Sequence, residues 1–197
     1  MKELVVATRN NGKIIELESL LGCVINKICC SADFADFPDT VEDGATFEEN
    51  ALKKAREASA FTGLPALADD SGLIVYALDG RPGVYSARFA GEGAGDAANN
   101  DQLLRELQGV SADARQAAFV CVLAFVTPGG VERTFVGRVA GHILEKPRGT
   151  GGFGYDPLFG VEGFDCSMAE LDLDQKNRIS HRGQAFRQLL EFLKQIG

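Results

Sequence analysis

The chain has no block of lysine or arginine. Of its 197 residues 20 are basic and 28 acidic, giving a net charge of −8. Gripping a nucleic-acid polymer requires a basic surface, so no such partner is expected. A small anion is a different case, because a few local cations and a metal can hold it. There is no apolar run near the roughly 20 residues of a membrane span, so no membrane association is expected. No leader is expected either, since Lys2 and Glu3 run straight into a short apolar strand. Histidine is scarce, with only two and no cluster, so zinc is not expected. The five cysteines, Cys23, Cys29, Cys30, Cys121 and Cys166, are odd in number and lack metal-knuckle spacing. They read as reduced, mostly buried thiols of a cytoplasmic protein. Repeats and linkers are absent too, which leaves one domain over residues 1–197.

What is present alternates between strand and helix signals. Leu4 to Ala7 reads as a buried strand and Thr8 to Lys13 as a polar turn. Ile14, Leu17 and Leu21 then follow helical spacing, with Gly22 as the stop. Thr46-Phe47-Glu48-Glu49 has the capping-box pattern and predicts a helix to about Phe61, closed by Gly63 and apolar through Ala51, Leu52, Ala55 and Ala58. Leu64 to Ala68 leads into Asp69-Asp70 and a turn at Ser71-Gly72, and Leu73 to Leu78 is a further strand. Gly80 to Gly95 reads as an irregular, functional loop, after which Asp96 caps a helix carrying Leu103, Leu104 and Leu107. Ala117 to Val126 and Val131 to Ile143 form a long hairpin, whose first arm is apolar on both faces and so central in a sheet. Ser167 to Glu170 is a second capping box. Ser180 begins the last helix, with the stripe Phe186, Leu189, Leu190, Leu193 and Ile196. The pattern predicts an α/β fold with a mixed sheet.

Four segments could carry chemistry. Thr8-Arg9-Asn10-Asn11-Gly12-Lys13 lies between a strand and a helix N-terminus, where amides and the dipole favour anions. The alternative is a solvated turn. Asp69-Asp70 places adjacent carboxylates beside apolar residues, a costly arrangement that a metal would offset. Neighbouring side chains of an extended segment point to opposite faces, so Asp70 is assigned to the site and Asp69 to the turn. Glu42 or Asp43 could add a second carboxylate, and that sparse set suits Mg²⁺, which fills its shell with water and phosphate oxygens. Lys53 and Lys54 could reach phosphate or could simply be solvated.

Gly149 to Pro157 reads Gly-Thr-Gly-Gly-Phe-Gly-Tyr-Asp-Pro. Its glycines would let backbone amides approach a ligand closely. Gly149, Gly151 and Gly154 also match a dinucleotide fingerprint, but Asp156-Pro157 follows where that motif needs a helix, and the match is set aside. Lys176, Ser180, His181 and Arg182 form the fourth cluster, either a surface cap or donors converging on a ligand. His142 in the hairpin reads as structural.

Taken in order, these segments resemble the inosine triphosphate pyrophosphatase family, in particular its bacterial branch acting on dITP and XTP. The matching stretches are Ala7-Thr8 with Asn10 and Gly12-Lys13; Glu42 with Gly44; Thr46-Phe47 with Glu49-Asn50-Ala51 and Lys54-Ala55; Ala68 to Leu73; Pro82 to Arg88; Gly149 to Pro157; and Ile179 to Gly183. The resemblance implies a homodimer whose chains have a long curved mixed sheet flanked by helices and two lobes around a central cleft. It implies Mg²⁺-dependent hydrolysis of ITP, dITP or XTP to the monophosphate and pyrophosphate. By motif, Thr8, Arg9, Asn10, Asn11, Gly12, Lys13 and Lys54 would hold phosphates. Glu42 and Asp70 would hold Mg²⁺, with Asp70 as general base. Ser71 would touch substrate and Phe153 would stack on the base. Gly154, Tyr155, Asp156, Lys176, His181 and Arg182 would complete recognition. Asp174-Gln175 departs from the family, which often has two acidic residues there. The competing readings are a pyrophosphatase for modified pyrimidine nucleotides and a non-catalytic nucleotide-binding module.

Overall fold

The computed structural model describes residues 3–21 and 25–196, without the side chain of Ile196. Gly22, expected to stop the first helix, and Cys23 lie outside the described residues, as does the apolar contact assigned to Ile196. Six strands form one mixed sheet in the order β2-β1-β3-β4-β5-β6. They are β1 (Glu3–Val6), β2 (Lys27–Cys30), β3 (Ala66–Val75), β4 (Gln116–Val126), β5 (Glu132–Ile143) and β6 (Phe159–Val161). β1 runs parallel to β2 and β3, and β5 runs antiparallel to β6. Among the described residues five α-helices accompany them: α1 (Asn11–Leu21), α2 (Phe47–Thr62), α3 (Asp96–Glu106), α4 (Leu173–Ile179) and α5 (His181–Ile196). The α/β class with a mixed sheet is as expected, and β4 lies inside the sheet with every residue but Gln116 buried.

Contact density divides the chain into two compact units. The first comprises residues 1–70, 121–137 and 182–197; the second comprises 71–120 and 138–181. In the first, strand alternation sorts side chains to two cores. Leu4 and Val6 of β1, Leu67 of β3 and Cys121, Leu123 and Phe125 of β4 pack with Leu17 of α1 and Phe186, Leu189 and Leu193 of α5. The intervening Val5, Ala7, Ala66, Ala68, Val122 and Ala124 pack with Ala51, Ala55 and Ala58 of α2. In the second unit Leu73, Leu103, Leu107, Phe119, Tyr155 and Phe159 share a core.

Several boundaries differ from the sequence reading. No turn interrupts Asp69-Asp70-Ser71-Gly72, because β3 runs unbroken through them. Around this stretch the Asp69 carbonyl accepts from Lys54 Nζ and the Leu73 N–H donates to the Ser86 hydroxyl, so side chains distant in sequence take backbone groups that a local turn would have used. Asp96 does not cap α3; Gly95 holds the cap position and Asp96 is the first helical residue. In the Gly80 to Gly95 stretch, Gly83–Arg88 forms a 3-10 helix. Ser167 to Glu170 does close a capping box, over a single 3-10 turn. The short β2, α4 and β6 were not anticipated. α4 begins at a box in which Asp172 accepts from the Gln175 backbone and the Gln175 side chain accepts from the Asp172 N–H. Gln175, the departure noted above, thus has a structural use. The described cysteines, Cys29, Cys30, Cys121 and Cys166, are free thiols, the first and third buried. No helix among the described residues is long and apolar enough to cross a membrane.

Candidate active site

The alternation of β3 decides the fate of the two aspartates. Asp69 follows Leu67 onto the α1 and α5 side; Asp70 follows Ala68 onto the α2 side. Asp69 is 1% exposed. Its Oδ1 lies 2.5 Å from Lys13 Nζ of α1, and its Oδ2 accepts from Arg182 Nε of α5 at 2.8 Å and from the Cys121 thiol at 3.1 Å. Arg182, itself 1% exposed, also pairs with Glu16 of α1. Burial opposes ionisation of Asp69, but Arg182 and Lys13 outweigh it and hold the carboxyl well below its usual range. The same burial, with the Asp69 carboxylate beside it, pushes the Cys121 thiol well up.

Asp70 is 5% exposed and faces different partners. Lys54 Nζ of α2 donates to Asp70 Oδ1 at 2.8 Å, to Glu42 Oε1 at 2.7 Å and to the Asp69 carbonyl at 2.8 Å. Glu42 and Asp70 therefore converge on one ammonium. Here burial wins: it raises the Asp70 pKa despite Lys54 and Lys13, with Glu42 adding to the rise. Lys54 is held charged, because Asp70 and Glu42 more than offset its own desolvation. Lys53 instead pairs with Asp43 at 2.7 Å on the surface.

In the turn before α1, Asn10 Oδ1 accepts from the Lys13 N–H at 3.1 Å and Thr8 Oγ1 accepts from the Asn10 N–H at 3.2 Å. Asn10 thus caps the helix and aims its start. Asn11 and Gly12 are its first residues. Arg9 is not brought to this cluster; it binds Asp39 at 3.2 Å and the Phe37 carbonyl at 3.3 Å on an exposed loop.

In the second unit the glycine loop folds on itself. Asp156 Oδ2 accepts from the Phe153 N–H at 2.8 Å and pairs with Lys176, and that ammonium lies 4.8 Å from the centre of the Phe153 ring. α3 clamps the Gly154 peptide at both ends: Asp96 accepts from its N–H at 2.6 Å and Asn100 donates to its carbonyl at 2.9 Å. The Tyr155 hydroxyl donates to the Ser86 carbonyl at 2.8 Å, so this side chain anchors the loop in the core. Gly149 has φ 76°, and a Cβ there would lie 2.7 Å from the Ala169 backbone. Gly149, with Gly151 beside it, thus serves close packing against the Ala169 segment. His181 stacks on Phe119, centroids 4.9 Å apart. Ser71 follows Asp70 on β3 and belongs to the second unit.

The sequence model of the Ham1 family matches residues 4–192. The chain belongs to the Ham1 family. A dITP/XTP pyrophosphatase of Geobacter sulfurreducens is 57% identical over 98% of this chain and 97% of that protein. One of Bacillus licheniformis is 48% identical over 99% of this chain and all of its own length. Among solved structures, a HAM1 protein from Coxiella burnetii superposes with TM-score 0.89 at 44% identity, covering 99% of this chain and 100% of that one. The Staphylococcus aureus Ham1 protein does so with TM-score 0.88 at 40% identity, over 99% and 100% of the two chains.

In this Ham1-family chain, the sequence reading missed the residues that hold others in place. Glu16 and Cys121 complete the surroundings of Asp69, Asn50 touches Asp70, and Asp96 and Asn100 grip Gly154. Asn50 did fall within a quoted motif, and Asp96 and Asn100 share a helix face at i, i+4. Glu16 offered a signal too, as a charge on the apolar stripe of α1 beside Leu17. As for a metal, no group of three or more acidic, cysteine or histidine residues gathers among the described residues. Two carboxylates meeting at one cation suit Mg²⁺, which needs only one or two from the protein.

Proposed function

We propose that this chain is a pyrophosphatase that hydrolyses dITP, XTP and ITP to the nucleoside monophosphate and pyrophosphate with Mg²⁺ as cofactor. The observation that carries it is the convergence of Glu42 and Asp70 on the Lys54 ammonium, with burial raising the Asp70 pKa. The names of the curated relatives supply the substrate class.

Phosphoanhydride hydrolysis asks mainly for charge neutralisation and an oriented water. Glu42 and Asp70 would hold Mg²⁺. That ion, when bound, supplies Lewis-acid stabilisation of phosphate oxygens. Lys13 and Lys54 set two ammonium groups toward the phosphates, and the start of α1 at Asn11 and Gly12 adds backbone donors and the positive dipole end. Asp70 takes the proton of the attacking water; a raised carboxylate pKa brings a general base closer to the working pH. In the second unit Phe153 offers the stacking face for the base, and Lys176 and His181 offer donors. Hypoxanthine and xanthine carry a 6-oxo acceptor where adenine has a donor, and an unmet buried donor costs about 1–3 kcal/mol. We also assign the chain to the cytoplasm and to a homodimer, on its family membership.

The deciding assay measures pyrophosphate and orthophosphate released from ITP, dITP, XTP, GTP and ATP with Mg²⁺. Pyrophosphate from the first three is expected. Orthophosphate alone would refute the reaction, equal turnover of ATP the specificity, and preference for modified pyrimidine nucleotides the substrate class.

A further inference from the structure

Asn50 lies on the first turn and a half of α2 and is 1% exposed. Its carboxamide is used at both ends. Oδ1 accepts from the Gly44 N–H at 2.8 Å, and Nδ2 donates to Asp70 Oδ2 at 3.4 Å. The orientation follows from chemistry, since a backbone N–H can only donate and so the amide nitrogen must face the carboxylate. Asp70 is thereby held by separate groups on its two oxygens, Lys54 on Oδ1 and Asn50 on Oδ2. At the other end Gly44 closes the loop that carries Glu42. The same loop is tied to α2 again where Glu49 accepts from the Ala45 N–H at 2.7 Å. A Cβ on Gly44 would lie 2.6 Å from Asn50 Oδ1 and 2.8 Å from the Glu49 Cβ, so this approach requires glycine.

We infer that Asn50 is a positioning residue that fixes the Glu42 loop and the Asp70 carboxylate relative to one another. The inference rests on the reading of Glu42 and Asp70 as the metal-holding pair. No other common side chain of that length does both jobs: aspartate at neutral pH only accepts, and leucine does neither. Partners that orient metal-holding carboxylates typically cost 10–100-fold in affinity or activity when removed.

The test uses Asn50→Leu, Asn50→Asp and Gly44→Ala, with Arg56→Ala as control. Arg56 is on the same helix but pairs with Glu132 on the surface. Mn²⁺ binding to the substrate-free protein, followed by electron paramagnetic resonance, reads the carboxylate pair without turnover. Steady-state kinetics on ITP and thermal unfolding complete the set. Asn50→Leu is expected to weaken Mn²⁺ binding about ten-fold and lower kcat at least as much, with KM for ITP held within about two-fold. Asn50→Asp keeps the Gly44 bond and loses the donor to Asp70, so kcat falls about ten-fold with KM held. Gly44→Ala should reproduce the Asn50→Leu profile and add little in the double variant. Mn²⁺ affinity and kcat within about two-fold of wild type in Asn50→Leu would overturn the inference. If that variant does not fold, an unchanged kcat in Asn50→Asp overturns it instead. So would losses matched by Arg56→Ala at equal loss of melting temperature. A wild type that binds Mn²⁺ but leaves ITP intact would refute the proposed activity and leave the Mn²⁺ affinities to decide on Asn50.

Discussion

Asp69 and Asp70 are chain neighbours, yet the two sides of β3 treat them as opposites. On the α1 and α5 side Asp69 meets a guanidinium, an ammonium and a thiol, and its charge is compensated before any ligand arrives. On the α2 side Asp70 shares one ammonium with Glu42, and burial leaves its ionised form disfavoured. Burial is nearly the same, so depth does not separate the roles; the count of opposing charges does. A saturated carboxylate supports the fold, and an undersupplied one is prepared to take a cation or a proton.

The largest expected effect tests the functional side. Asp70→Asn should cut pyrophosphate release from ITP by about 10²–10⁴-fold, the range for loss of a general base. Thermal melts of the same variant at neutral pH should show no loss of stability. Next comes the structural side. Asp69→Asn leaves buried Arg182 short of a counter-charge and should cost about 3–5 kcal/mol, read from denaturant unfolding. A variant as stable as wild type would erase the contrast between the two sides.

Acid should separate the two carboxylates in the metal-free protein. Asp69 has a depressed pKa, so its stabilisation is fully present above the ordinary carboxylate value and is lost only as pH falls through the depressed one. Asp70 has a raised pKa, so its charge burdens the fold above that value, and the burden lifts as pH falls through it. Unfolding titrations from neutral to acidic pH should therefore show the advantage of Asp70→Asn fading before the deficit of Asp69→Asn does. The reverse order would mean that the charge assignment is inverted.

Smaller effects belong to Phe153 and Asp96 of the second unit. Phe153→Ala should raise KM for ITP about ten-fold, since stacking is worth about 1–3 kcal/mol per base, with kcat less affected. Asp96→Ala should raise it about three-fold, by freeing one end of the Gly154 peptide. A change in kcat larger than that in KM for Phe153→Ala would assign the ring to chemistry.

How legible all this was depended on the range of the interaction. Strand alternation is local, so the opposite facing of Asp69 and Asp70 could be read from the chain, as could the Thr46 cap and the Gly63 stop of α2. The turn expected at Ser71-Gly72 is absent because β3 continues through it, with backbone groups beside it met by residues distant in sequence, Lys54 at the Asp69 carbonyl and Ser86 at the Leu73 N–H. The glycine loop stands out in the sequence, but its geometry does not. Gly149 and Gly151 meet the Ala169 backbone, a contact no pattern within the loop encodes. Arg182 was expected to meet substrate and is enclosed by Glu16 and Asp69, the latter 113 positions away. Pairings over such distances leave no periodic trace.

That separation also sets a timetable. At synthesis rates of about 5–20 residues per second, Arg182 is added about 6–23 s after Asp69. Until then the carboxylate has its α1 and β4 partners at most, and the segment 182–197 that completes the first unit has yet to be made. A nascent chain of this protein thus carries a half-answered charge at Asp69 until Arg182 has been made.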